Sequence, residues 1–253
     1  MNFSIALAGK GGTGKTSIAG LIVRYLVNKG MTPVLAVDAD GNANLGESLG
    51  LNVDKTIGST IAEFNENKIY IPSGFTKTAY LELKLHEAMI ESNDFDLISM
   101  GRGEDTGCYC YPNSVLKKFI DDLKENYPYM VMDNEAGMEH LSRRTTENTD
   151  ELLIISDYSI KGVRTVERII KLIAELKLNI KRQSVIINRA PDIFDDNIKR
   201  ELERLDIIPV ASIPVDEEIF KYDLERKSLL DLPDTSKAVI AIDKLMGRIL
   251  GKG

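Results

Sequence analysis

The stretch AGKGGTGKTS, Ala8 to Ser17, constrains this chain more than any other part of its sequence. It satisfies G-x-x-x-x-G-K-[ST] with Gly9, Gly14, Lys15 and Thr16 in register. An apolar run, FSIALAG, leads into it, and an amphipathic run, TSIAGLIVRYLVNKG, leads out. Strand, glycine loop and helix in that order make a phosphate cradle. Glycines let successive backbone N–H groups curl around phosphate oxygens, and the helix N-terminus adds the positive end of its dipole. Gly9, Lys10, Gly11, Gly12, Thr13, Gly14, Lys15, Thr16 and Ser17 are therefore expected to hold nucleotide. Lys15 should reach the β- and γ-phosphates, and the Thr16 hydroxyl should ligate Mg²⁺.

The rest of the chain repeats this alternation. FSIALAG, PVLAVD, FDLISMG, YMVMD, ELLIIS, QSVIIN and IIPVASI read as strands, with helical patterns between most of them. The first helix should end at Gly30 with a left-handed cap. A second runs through VRTVERIIKLIAELKL, where Val166, Ile169, Ile170, Ile173 and Leu176 line one face. Such alternation predicts an α/β fold: a mainly parallel sheet of about seven or eight strands with helices on both faces. No repeat or linker divides the sequence, so residues 1–253 are expected to form one P-loop domain. The stretch from about Asn52 to Thr78 is the least regular, with IPSGFTKT breaking its periodicity.

Composition narrows the partners. A net charge of −7 gives no electrostatic reason to expect nucleic acid or an anionic membrane. No apolar run is long enough to span a bilayer, and the N-terminus lacks the basic region of a signal peptide. With only two cysteines, the expected location is the cytoplasm, with reduced thiols.

Carboxylates follow two of the strands. VLAVDADGNANLG places Asp38 and Asp40 after the second strand. Asp38, Asp40 and Asn42 mimic the start of a calcium loop, but Ala43 and Leu49 stand where glycine and glutamate are required. Beside a phosphate loop, such carboxylates can position an attacking water or hold the metal's water shell, or simply cap the next turn. YMVMDNEAG ends a strand on Asp133, a candidate Mg²⁺ carboxylate, with Gly137 able to offer its N–H to the γ-phosphate. VIINRAPD ends a later strand on Asn188. A guanine reader would carry Asp three residues on, where Pro191 stands and Asp192 follows, so the pattern favours ATP.

Lys10 adds a second cation inside the loop, giving KGGTGKT. This resembles the deviant P-loop of the ATPase group that includes MinD, ParA, nitrogenase iron protein and CooC. The resemblance implies that Lys10 reaches across a homodimer interface to the partner's nucleotide, so that ATP or ADP is sandwiched between subunits. It also implies that Asp40 activates water, that Asp38 lies near Mg²⁺ beside Thr16 and Asp133, and that Asn188 and Pro214 meet adenine. Catalysis would then rest on Lys10, Lys15 and Asp40.

GCYCYPNS holds Cys108 and Cys110 in Gly- and Pro-rich surroundings that read as a loop. Three readings stand: two buried small hydrophobes, a strained reducible disulfide, or half of a metal site. Two thiols do not fill a soft metal's shell, but a twofold axis would bring four together. Together with VMDNEAGMEHLSRR, AVDADGNANL and INRAP, this loop makes the chain resemble the CooC and AcsF type of nickel-insertion ATPase. That resemblance implies Ni²⁺, with Zn²⁺ possible in its place, bound by Cys108 and Cys110 of two subunits. The implied client is carbon monoxide dehydrogenase or acetyl-CoA synthase. A MinD-like switch and an iron–sulfur carrier are the rivals. The C-terminal KAVIAIDKLMGRILGKG fits a docked helix better than a membrane-binding one. Arg143 and Arg144, after the Asp133 segment, either face the client or are solvated helix charges.

Overall fold

The computed structural model describes residues 2–66, 71–101, 110–135 and 148–251. Eight strands form one sheet: β1 (Phe3–Gly9), β2 (Val34–Ala39), β3 (Ile90–Glu91), β4 (Phe95–Ser99), β5 (Tyr129–Asn134), β6 (Asn148–Asp157), β7 (Asn179–Ala190) and β8 (Ala211–Pro214). Their order is β3-β4-β2-β5-β1-β6-β7-β8. Every pairing is parallel except that of β3 with β4. The parallel strands are apolar on both faces because helices cover both. Leu7, Leu35, Val131 and Leu153 are completely buried.

One face of the sheet packs against α1 (Lys15–Asn28), α2 (Asn44–Ser48) and α9 (Lys237–Ile249). The other is covered by α3 (Ile57–Glu66), α4 (Lys77–Glu87), α5 (Cys110–Asn126), α6 (Ile160–Leu176) and α7 (Asp196–Arg204). The remaining α-helix among the described residues, α8 (Glu217–Leu224), has no fully buried residue and rests on the α1 and α9 side through half-buried Ile219 and Tyr222. Helix α1 ends as expected: Gly30 has φ +65°, and the Gly30 and Met31 N–H groups donate back to the Val27 and Leu26 carbonyls. In α6, Val163, Val166, Ile169 and Ile173 are buried, whereas Leu176, expected on the same face, is exposed at the helix end.

Two expectations need correction. The stretch read as irregular contains α3, with Ile57, Ile61 and Phe64 buried at helical spacing. Thr56 and Ser59 exchange backbone-to-side-chain hydrogen bonds at its start, which fixes the first turn. Strand β3 was not foreseen. At two residues it has no periodicity to read, and it exists only through its pairing with β4. In addition, the run read as IIPVASI is strand only from Ala211 onward.

Candidate nucleotide site

The phosphate loop leaves the C-terminal end of β1, near the middle of the sheet. Ligands of open parallel sheets bind outside the carboxyl ends of the strands, where the chain order reverses direction. Register brings the carboxylates to the same level. Leu7 of β1 pairs with Asp133 of β5, and Asp133 pairs with Asp38 of β2. Residues in one row of a sheet point to one face, so both carboxylates project beside the start of α1.

The loop's backbone explains its glycines. Gly14 has φ +87°, and a Cβ there would lie 2.4 Å from the Asn188 Nδ2. A Cβ on Gly9 would lie 2.3 Å from the Ile155 carbonyl oxygen. Both positions exclude a side chain. Gly14 is also the N-cap of α1, which has no side-chain cap and no acidic residue in its first turn. That leaves the helix N-terminus equipped for an anion.

Lys15 is buried, and its ammonium donates to the Gly9 and Lys10 carbonyls at 3.3 Å each. Burial lowers its pKa, while Asp133, Asp40 and Glu135 pull it back up. Thr13 is buried and donates through Oγ1 to the Lys10 carbonyl. Lys10, Gly11 and Gly12 are exposed, so the side chain of the second loop lysine faces outward from this subunit.

The Thr16 hydroxyl donates to the Asp133 Oδ2 at 2.6 Å. The Asp133 Oδ1 is buried and has no hydrogen-bond partner. Burial raises the Asp133 carboxyl to about 7, only partly offset by Thr16. Asp38, fully buried, is raised to about 6 by burial against the opposing Leu45 and Asp40 backbone hydrogen bonds. Asp40 is half-buried and accepts from the Asn42 N–H. A hydroxyl, an orphaned carboxylate oxygen and a second buried carboxylate are a hard, oxygen-only donor set, which fits Mg²⁺.

A cavity of about 460 Å³ opens beside this row. Thr16 and Ser17 stand at its phosphate end, and Asn188, Arg189 and Pro214 line its far side. Asn188 donates to the Thr13 carbonyl at 2.7 Å, joining the loop to β7. Pro214 ends β8 instead of lying in a turn beyond it. Asp192 does not line this cavity but the groove beside it. Of the carboxylates lining the cavity, Asp216 accepts from Glu218 N–H through one oxygen and from Ser236 Oγ and Ala238 N–H through the other.

Three residues here escaped the sequence reading. Arg189 has φ +54° and sends a guanidinium N–H to the Gly12 carbonyl at 3.4 Å; nothing local in NRAP announces this. Asn134 is buried, donates to the Leu7 carbonyl at 2.9 Å and leaves its own Oδ1 unpartnered. Asp216 was legible as an N-cap, since it stands before EEIF. Cys108, Gly137, Arg143 and Arg144 lie outside the described residues, while Cys110 begins α5 where a loop was expected. Among the described residues, no cluster of three or more His, Cys, Asp or Glu side chains is arranged to hold a metal.

A phosphate loop at the end of a central parallel strand, with strand-end carboxylates beside it, defines the class of P-loop nucleotide-binding α/β proteins. A protein-family model described as an AAA domain matches residues 4–186. An uncharacterized ATP-binding protein of Methanocaldococcus jannaschii is 38% identical over 250 residues, covering 98% of each chain. The carbon monoxide dehydrogenase accessory protein CooC of Rhodospirillum rubrum is 27% identical over 240 residues, 90% of this chain and 89% of that one. In fold, the ParA family ATPase from Chlorobium tepidum superposes with a TM-score of 0.75 at 21% identity, over 97% of this chain and 98% of that one. The chain therefore belongs to the AAA-domain family; it shares the fold of ParA and MinD ATPases and counts CooC among its relatives.

Proposed function

We propose that this chain is a Mg²⁺-dependent ATPase that couples ATP binding and hydrolysis to dimerisation and to nickel delivery during maturation of carbon monoxide dehydrogenase or acetyl-CoA synthase. The observation that carries the ATPase reading is the Thr16–Asp133 contact, with the orphaned Asp133 Oδ1 beside an uncapped helix N-terminus. Thr16 would hold Mg²⁺, with Asp133 and Asp38 on its water shell; bound there, the ion would neutralise charge on the β- and γ-phosphate oxygens. Lys15 would exchange its two loop carbonyls for phosphate oxygens. Gly137 would add an N–H to the γ-phosphate. Asp40 would orient a water for attack on the γ-phosphorus, breaking its bond to the bridging oxygen and yielding ADP and phosphate. Adenine would lie against Asn188 and Pro214. Guanine is disfavoured, because the position three residues after Asn188 is Pro191 and the following Asp192 does not line this cavity.

The outward-facing Lys10 would complete the partner subunit's phosphate site, so that ATP holds two subunits together. Closure would bring Cys108 and Cys110 of each subunit around one nickel ion, the cargo, and hydrolysis would reopen the dimer. Support for the cargo comes from the C-x-C sequence and from the likeness to CooC. The test is sedimentation velocity with a slowly hydrolysed ATP analogue and Mg²⁺. The parent chain is expected to dimerise, and Lys10→Ala to bind the analogue but stay monomeric. A Lys10→Ala variant that dimerises like the parent would refute the shared-nucleotide reading.

A further inference from the structure

A second, larger concavity of about 1130 Å³ runs along β8, the last strand of the sheet, whose outer side no described strand pairs. Its floor is the β8 segment with Val210 before it, and its two walls belong to opposite layers. On one wall, Lys237, Ile240, Lys244 and Arg248 recur at helical spacing along the exposed side of α9. On the other, Tyr158 and Phe194 meet edge to face, with ring centroids 5.3 Å apart.

The charge of this groove runs against that of the whole chain. Asp and Glu outnumber Lys and Arg by 39 to 32 overall. Yet the lining holds Arg189, Lys237, Lys244 and Arg248 against the single carboxylate of Asp192. Neither Lys237 nor Lys244 is in an ion pair among the described residues. Arg248 commits one N–H to the Val210 carbonyl, leaving further donors on its fork. Between the cations lie exposed apolar side chains: Val215 at 57%, Ile240 at 42% and Val210 at 37%. Apolar residues interleaved with unpaired cations beside a sheet edge suit an extended chain with carboxylates on one side and aliphatic groups on the other.

We infer that this groove docks an extended acidic segment of a partner protein, laid along β8 with its carboxylates on Lys237, Lys244 and Arg248. Duplex nucleic acid is the weaker match, since three of the four cations stand on the α9 wall, and exposed apolar side chains lie among them. The groove abuts the nucleotide cavity, with Arg189, Pro214 and Val215 lining both.

The probe is a short fluorescent peptide alternating valine with glutamate, titrated by anisotropy at low and physiological salt. A lysine–valine counterpart and a duplex DNA oligonucleotide run in parallel. Saturable binding of the acidic peptide is expected, with amide exchange slowed in β8. Lys237→Glu with Lys244→Glu should weaken it by about tenfold or more and favour the basic peptide instead. Both positions are exposed, so the fold should survive; circular dichroism and nucleotide binding check that. Ile240→Asp should weaken the acidic peptide even where salt has screened the charges. Absence of saturable acidic-peptide binding, binding unchanged by the double reversal, or tighter binding of the DNA would each overturn the inference. So would self-association that the double reversal abolishes, which would make a second copy the occupant.

Discussion

Burial raises the Asp133 carboxyl to about 7 and that of Asp38 to about 6, so near pH 5 both hold protons in the folded chain that an unfolded chain has released. Between roughly pH 4 and 7 the folded state binds more protons than the unfolded state, and stability falls as pH rises through that window. Above it, the nucleotide-free chain carries the full cost of two buried carboxylates. Asp133→Asn removes the larger part. Its Tm without nucleotide at about pH 8 is expected to exceed the parent's by roughly 4–8 °C, shrinking progressively below about pH 7 and reaching zero only near pH 4. A lower Tm at pH 8, measured by calorimetry, would contradict this. The same variant should lose Mg²⁺-dependent nucleotide affinity. Gly14→Ala tests the loop differently: its methyl meets the Asn188 Nδ2 and its φ is left-handed, so the Asn188–Thr13 bond must give way. Nucleotide affinity should drop by about tenfold or more, read by titration calorimetry. Lys15 and Thr16 were legible because their chemistry depends on spacing along a strand-loop-helix, and Asp133 because an apolar strand closes on it. Arg189 and Asn134 were not, because their partners, Gly12 and Leu7, lie far away in sequence.

Elements were legible in proportion to their burial and length. Strand β1 spans the same residues as the apolar run that announced it, since its central residues are all buried and glycine closes it. Helix α3 carried a readable spacing at Ile57, Ile61 and Phe64, but Gly58 and the irregular stretch beyond obscured it. Strand β3 had no signal of its own. Helix α9 bears on a rival function. Val239, Ile242, Leu245 and Met246 are buried against α1 and β8, so its apolar stripe is already used within the fold. Ile242→Ala should therefore cost about 2–5 kcal/mol in denaturant unfolding. The parent chain should not sediment with anionic vesicles. Vesicle binding together with an Ile242→Ala cost near zero would mean that α9 undocks to meet a bilayer.

In the proposed dimer, one twofold axis would join two features that lie far apart in the sequence, a second loop lysine and a cysteine pair. No helix among the described residues is long and apolar enough to cross a membrane. Lys10 is exposed at the carboxyl end of the sheet, where a second subunit would have to approach. The cysteine pair is the part of the proposal that sequence and relatives suggest and that geometry within one chain cannot complete, because four thiolates need two subunits. The most direct measurement is elemental analysis of gel-filtered protein supplied with nickel, in the presence of ATP analogue, ADP or no nucleotide. The expected result is about one nickel per two chains in the dimer held by the analogue, lost when Cys108→Ser is combined with Cys110→Ser. Nickel content that is unchanged by the double substitution, or absent under every nucleotide condition, would contradict nickel delivery as the function.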